Sequence, residues 1–433
     1  MAVLLALVRN QNSDMEENWK PWQSLKRFWN DLMDDEFRNK IRKLGVHIGA
    51  NHLNPLPQKN KLDVDLKDGI TEENSLGKFF YTQNEFSGEY IHGNILFADI
   101  VEKPIQFEFP GISQMVSFQK CVFLDTETTG LALSAGTFAF MVGVAKLIGP
   151  KLVLRQYFLK SPSEEGAMLL DLSNFISSDN TIVTYNGIGF DLPILKHRYI
   201  LHKIPVDFTK YEQLDLLKYS RALWRYQLED RSLKSVEKNI LNFNRTNDEV
   251  PGWMAPEIYR DYLKTGNMSS ILGVFYHNSI DVVSLCALMY AYVKVISYQS
   301  DLHKEFQTIN YALARLHEKH DIKISIQYYL TTLNQSNISD PIRINALNGL
   351  SNIYKKAGNL DEAVVLWKLA SELKDIKSII ELSKFYEHKA KDYENALSWT
   401  EKGIEITREN NDVFFIELLH RKDRIIKKWR SNE

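Results

Sequence analysis

The hydrophobic pattern of the chain changes period near Asp230, and that change restricts it to a sheet-bearing region followed by helices. Before Asp230, short apolar runs over 119–125, 137–147 and 151–159 read as strands, and 164–176 has the spacing of a helix. A further strand over 180–185 leads into a second helix over 191–202. Strands followed by strand–helix alternation predict an α/β domain with a mixed sheet flanked by helices. After Asp230 the pattern is helical almost throughout, and from about Asn310 it repeats. Tyr354-Lys-Lys-Ala-Gly-Asn-Leu-Asp-Glu-Ala363 matches Tyr386-Glu-His-Lys-Ala-Lys-Asp-Tyr-Glu-Asn-Ala396, offset by 32 residues at the tyrosines and 33 at the alanines. A less regular copy over Leu313–Leu333 puts Ser325 at the small-residue position. Helical hairpins with such a period bury their faces only by stacking, so an all-α array is expected here.

With 433 residues, 44% of them apolar, the chain exceeds a single core. Three regions are expected: 1–90, helical or irregular with a linker; 91–298, the α/β domain; and 299–433, the helical repeats. In the first, Trp19, Trp22, Leu25, Phe28, Trp29 and Leu32 have helical spacing, and 51–78 is polar with Pro55, Pro57 and Gly69, as a linker is. The charges nearly cancel, 53 Lys and Arg against 55 Asp and Glu, so any anionic partner must be met locally. Cys121 and Cys286 form no CxxC pair, which fits a reducing, cytoplasmic setting. Ala2–Val8 is apolar but short and lacks a cleavage pattern, and no stretch approaches the roughly 18 apolar residues of a membrane span.

Chemistry concentrates in three short segments. Asp125 and Glu127, two apart on a strand, face one side while Thr126 faces the other. Adjacent carboxylates offer hard oxygen ligands to a divalent cation, although an ordinary strand face can carry the same pair. Thr128, Thr129 and Gly130 follow with hydroxyls, backbone N–H groups and a permissive backbone. Tyr185-Asn-Gly-Ile-Gly-Phe-Asp191 hands a strand to a helix and delivers Asp191 at the helix start, where an acid also serves as a cap. A dinucleotide-binding loop is excluded because Leu192 stands in place of the third glycine. Lastly, His277 and Asp281 are four residues apart and share a helical face. Asp215 ends an apolar approach, where it either orients a ligand or caps a helix. Arg221, Arg225, Arg231, Lys234 and Lys238 interleave with Trp224 and Tyr226 as a candidate anion-binding rim, or as solvated helix faces. Arg421, Lys422, Arg424, Lys427 and Lys428 read as the solvent-facing end of the last helix.

Asp125, Glu127, Asp191 and Asp281, in that order and those contexts, resemble the DEDD exonucleases of the ribonuclease H-like fold. The resemblance implies that the four acids hold two Mg²⁺ or Mn²⁺ ions, and that a tyrosine or histidine near the last acid orients the attacking water. It also implies a 3′–5′ exonuclease that releases nucleoside 5′-monophosphates. Leu214-Asp215-Leu-Leu217, Leu233-Lys-Ser-Val-Glu237, Pro251-Gly252, Tyr262-Leu-Lys-Thr-Gly266 and His277-Asn278 extend the resemblance, over about residues 90–296, to the bacterial YprB-like group. That group joins such a domain to tetratricopeptide-type helices, whose period of ~34 residues the C-terminal repeat approaches. On this reading the substrate is a single-stranded 3′ end of DNA or RNA, which Thr128, Thr129, Gly130, Asn186 and Phe190 contact, and the repeats offer a surface to a protein partner. One departure concerns the water. The tyrosine class places Tyr four residues before the last acid and the histidine class places His five before it, whereas here His277 is four before and Tyr276 five. Four residues turn a helix by about 400° and five by about 500°, which favours His277. The alternative reading is a nucleic-acid-binding scaffold with weak catalysis, its repeats recruiting a partner.

Overall fold

The computed structural model describes residues 69–433, apart from 113–114, 131–135, 177–180, 246–249, 270, 298–301, 303–305, 411–412 and 432–433. The expected N-terminal strand Ala2–Val8, the aromatic helix over 15–46 and most of the linker lie outside the described residues.

Seven strands form one sheet: β1 (Ile70–Asn74), β2 (Gly77–Phe86), β3 (Cys121–Thr128), β4 (Ala139–Ile148), β5 (Lys151–Phe158), β6 (Thr181–Thr184) and β7 (Glu212–Asp215). Their order is β1-β2-β5-β4-β3-β6-β7. The pairs from β1 to β3 are antiparallel, while β3, β6 and β7 run parallel. The mixed sheet is the expected one, but its start is not where the polar composition placed it. β1 and β2 come from residues 70–86, so the boundary expected at 91 falls inside the sheet domain. An edge strand with mostly exposed residues, as β1 is, looks like linker in a hydrophobicity pattern.

Both faces of β3 are buried, which is why it reads as a continuous apolar run. Val122 and Leu124 join a core with α1 (Glu165–Phe175), α2 (Asp191–Leu201) and Tyr259 of α5 (Ala255–Thr265). Cys121 and Phe123 join the opposite core with α3 (Leu216–Leu223), α4 (Leu233–Ile240) and most of α6 (Ile271–Ile296). Helix α6 is long and apolar enough by length and composition to cross a membrane, which the sequence reading did not anticipate, yet most of its apolar window is buried against the sheet. It is the core helix of the domain.

Further helices among the described residues are α7 (Ile309–His317), α8 (Ile322–Asn334), α9 (Asp340–Ala357), α10 (Leu360–Glu372), α11 (Ile376–Phe385), α12 (Tyr393–Asn410) and α13 (Phe414–Arg430), with a π turn at Tyr386–Ala390. Each packs on the next along the chain. Ala363 and Ala396 are fully buried, and so is Ser325, whose Oγ donates to the Ala314 carbonyl at 2.8 Å. The described residues of the sheet domain and the helical array form one packed unit. The junction is aromatic: Trp224 packs on Phe306 with ring centroids 5.8 Å apart and Tyr226 on Tyr311 at 5.5 Å.

Two charged features differ from expectation. Trp224, expected on the basic rim, is buried and donates through Nε1 to the Tyr292 hydroxyl at 3.1 Å. The C-terminal basic cluster is not simply solvent-facing. Arg421, Arg424 and Lys428 gather on the buried carboxylate of Glu387 at 2.8–3.1 Å. Burial alone would raise that carboxyl, but the hydrogen bonds from Arg424 and Lys428 win and pull it down to about 2.

Candidate active site

Asp125 and Glu127 lie on the last turns of β3, opposite Gly143 and Met141 of β4, and the register shifts just after Glu127. A bulge there frees the strand end from its ladder. Gly143 has a specific reason to be glycine. A Cβ at this position would stand 2.2 Å from Asn278 Oδ1 and 2.8 Å from Val282 Cγ2, so its absence lets α6 press onto the sheet. Buried Gln156 then donates to the Phe275 carbonyl at 2.8 Å and to Asn278 Oδ1 at 3.0 Å. With its oxygen so engaged, Asn278 turns its Nδ2 to Asp125 Oδ2 at 3.0 Å. The amide orientation of Asn278 is thus fixed from one side and read out on the other.

Thr126, between the two acids, donates through Oγ1 to Asp191 Oδ1. Asp191 is the first residue of α2, and no side-chain cap closes that helix end. The turn before it is held by Asp215, whose Oδ1 accepts from Asn186 N at 2.8 Å and from Leu217 N at 3.0 Å, capping α3. Asp215 thus caps α3 and, through a second hydrogen bond, holds the turn that precedes Asp191. Asn186 takes a left-handed φ of 68°. Gly187 is needed beside it, since a Cβ would come within 2.5 Å of Thr184 and 2.8 Å of Asp191 Oδ2.

Helix α6 runs unbroken through Tyr276, His277 and Asp281. His277 Nε2 lies 3.5 Å from Asp281 Oδ2 and 3.8 Å from Glu127 Oε1. Gly252 allows this placement, because a Cβ on it would sit 3.1 Å from His277 Nε2. A cleft of about 330 Å³ opens beside them, lined by Lys234, Arg245, Pro251, Gly252, His277 and Asp281 among others.

The sequence reading missed Arg245. Its guanidinium, 4% exposed, donates to Asp281 Oδ1 at 2.5 Å and to both oxygens of fully buried Glu237 at 2.6 and 2.8 Å, and its Nη1 approaches His277 Nδ1 at 3.4 Å. Of the other predicted residues, Thr128 donates to the Gly130 carbonyl at 2.8 Å, and the Thr129 hydroxyl accepts from Phe138 N at 3.2 Å. Phe190 is half-buried and belongs to neither sheet core. On the expected rim, Lys234 lines the cleft, Arg231 is bound to the carbonyls of Leu228 and Glu229, and Arg221, Arg225 and Lys238 are exposed.

Burial dominates the electrostatics. It pushes the Asp125 carboxyl well above its usual range, and Asp281, Asp191 and Glu127 add to the push while Asn278 opposes it. Glu127 is raised to about 8 by burial, against His277, with Asp281 and Asp191 adding. Asp191 is raised to about 6 by burial, against the Thr126 hydrogen bond. Carboxylates that burial and mutual repulsion make reluctant to ionise gain most from a divalent cation, and their oxygens are the hard donors such a cation takes. Among the described residues the acids do not close into a three-ligand cage as they stand, and Asp281 is engaged by Arg245.

The same shifts set the pH dependence of the metal-free fold. The native state binds more protons than the unfolded state wherever a carboxyl is raised, so stability falls as pH rises from about 4.5 through about 8 for Glu127. Thermal melts in EDTA should therefore show a falling midpoint across that window, and Mn²⁺ should restore more at the alkaline end. A flat profile would contradict the burial of these acids.

A profile of the RNase_H superfamily matches residues 122–293, from the start of β3 to the end of α6. Sheet order and this match agree that the chain carries a ribonuclease H superfamily domain. The uncharacterized protein YprB of Bacillus subtilis (strain 168) is 32% identical over 333 residues, covering 74% of this chain and 79% of that protein, which puts the two in one family. Membership of the superfamily suggests a nuclease, a hydrolase of nucleic acid assisted by divalent metal.

Proposed function

We propose that the protein is a 3′–5′ exonuclease that removes nucleoside 5′-monophosphates from single-stranded ends, using two Mg²⁺ or Mn²⁺ ions held by Asp125, Glu127, Asp191 and Asp281. One observation carries the reading: carboxylates from three separate segments face one another near the end of β3, Asp281, Asp191 and Glu127 each adding to the rise of Asp125 that burial begins. The ions, when bound, neutralise the scissile phosphate and promote attack by water. His277, with Nε2 turned toward Glu127 and Asp281, receives the proton of the attacking water. Half-exposed Phe190 offers a ring on which the terminal base stacks, and the Asn186 turn and the Thr128–Gly130 backbone hold the sugar and phosphate.

The test is hydrolysis of 5′-labelled single-stranded RNA and DNA of matched sequence, with and without EDTA. A ladder shortening from the 3′ end, abolished by EDTA, is expected on one or both, with circular strands resistant; cutting of circles would instead indicate an internal nuclease. Replacing His277 with Gln should lower kcat about 10²- to 10⁴-fold and remove the acidic limb of the pH–rate profile. A profile that keeps its acidic limb would assign the proton to another group.

The C-terminal helices are read as tetratricopeptide-type pairs, supported by buried small residues at Ser325, Ala363 and Ala396, and as a platform for a protein partner. The two thiols, Cys121 and Cys286, are both free and buried, which supports a reducing, cytoplasmic setting. The engagement of Asp281 by Arg245 favours one second reading, a nucleic-acid-binding scaffold without turnover. Such a protein would bind the labelled strands and leave them intact in Mn²⁺.

A further inference from the structure

Arg245 stands beside the four acids without a role in the reaction above. Its fork already satisfies Glu237 completely, with Nε on Oε2 at 2.6 Å and Nη2 on Oε1 at 2.8 Å. A bidentate arginine–carboxylate pair of this kind is complete in itself, and Glu237, buried on α4, cannot do without it. Asp281 is therefore a second carboxylate on a guanidinium whose charge one acid already balances. It is also the partner with the alternative: it lines the open cleft, whereas Glu237 is sealed. On the reading that Asp281 is a metal ligand, the guanidinium occupies one of its two oxygens, and a cation so close repels a divalent ion in a site that water screens poorly.

We infer that Arg245 is a displaceable counter-cation: it holds Asp281 in place until a divalent ion arrives, then withdraws onto Glu237 at the edge of the cleft. The inference rests on the metal site proposed above. It makes metal binding an exchange of cations at Asp281 rather than a simple addition, so the site assembles in the absence of metal at the expense of metal affinity. A purely structural arginine predicts the opposite sign, since its loss would loosen Asp281 and weaken the site.

Arg245→Lys separates the two. One ammonium keeps a positive charge beside Glu237 but cannot fork to both carboxylates. Calorimetric titration of the full chain with MnCl₂, at fixed pH and salt, should give a Kd on the order of tenfold tighter in Arg245→Lys than in wild type. Thermal melting in EDTA checks that the variant is folded. Should it not fold, the double variant Glu237→Gln with Arg245→Gln, which removes both charges of the buried pair together, is expected to tighten Mn²⁺ in the same direction. Unchanged or weaker Mn²⁺ binding in the folded variant, with wild type still binding the ion, overturns the inference and leaves the metal site standing. Absence of Mn²⁺ binding in wild type and variant alike overturns both.

Discussion

Asp125→Asn is expected to lower hydrolysis of a 3′ end by about a thousandfold or more, because it removes one of the hard oxygen ligands on which about 4 kcal/mol of transition-state stabilisation depends. The same change should leave the metal-free fold more stable at neutral and alkaline pH. Asp125 is half-buried, and the loss of water around it, with Asp281, Asp191 and Glu127, already opposes its charge. Asparagine keeps an acceptor for Asn278 Nδ2 while removing the charge that the site resists. Activity and melting temperature measured on one preparation should thus move in opposite directions. A variant that loses both would show Asp125 to be a structural residue, and one that keeps activity would end the case for a carboxylate-held metal.

The second large effect belongs to a residue without a functional group. Gly143→Ala puts a methyl where the Asn278 amide and Val282 stand, at 2.2 and 2.8 Å, and neither is the far end of a long flexible chain. Helix α6 must back away from β4, at an expected cost of about 2–3 kcal/mol in stability. The retreat also carries His277, Asn278 and Asp281 away from Asp125 and Glu127, so activity at a temperature where the variant is fully folded should drop as well. Denaturant titration gives the first quantity and steady-state kinetics the second. Wild-type stability would mean that α6 does not pack as closely as Gln156, Gly143 and Asn278 require.

Most of the sheet, and the acids that make the candidate site, can be picked out in the chain for physical reasons. A central strand buried on both faces, such as Cys121–Thr128, leaves an unmistakable apolar run, and an acid at its end stands out against it. The turn before Asp191 is marked by two glycines, one of which the backbone needs. Features that arise only from tertiary approach had no such mark. β1 exposes most of its residues and was taken for linker. Arg245 lies in a polar stretch without periodicity, and its importance comes from α4 and α6 meeting there, which no local pattern records. Pairing among distant residues also hid the fate of the C-terminal basic residues, because their partner Glu387 lies 34 to 41 positions earlier. Trp224 interleaves in sequence with the basic residues of the candidate rim, whereas packing on Phe306 and Tyr292 buries it.

The array's two ends are secured by different physics. At one end Trp224 and Tyr226, just past α3, pack on Phe306, just before α7, and on Tyr311 within it, so the array borrows stability from the sheet domain. At the other, α13 is fastened by three cations converging on Glu387 in the π turn between α11 and α12. Helices that touch only their neighbours unfold as a one-dimensional lattice, whose free end ordinarily frays first. Here a charge clasp closes that end, so acid or high salt, which leave the aromatic junction largely untouched, should open the array from its far end inward. Heat, acting on every interface together, has no such preferred direction.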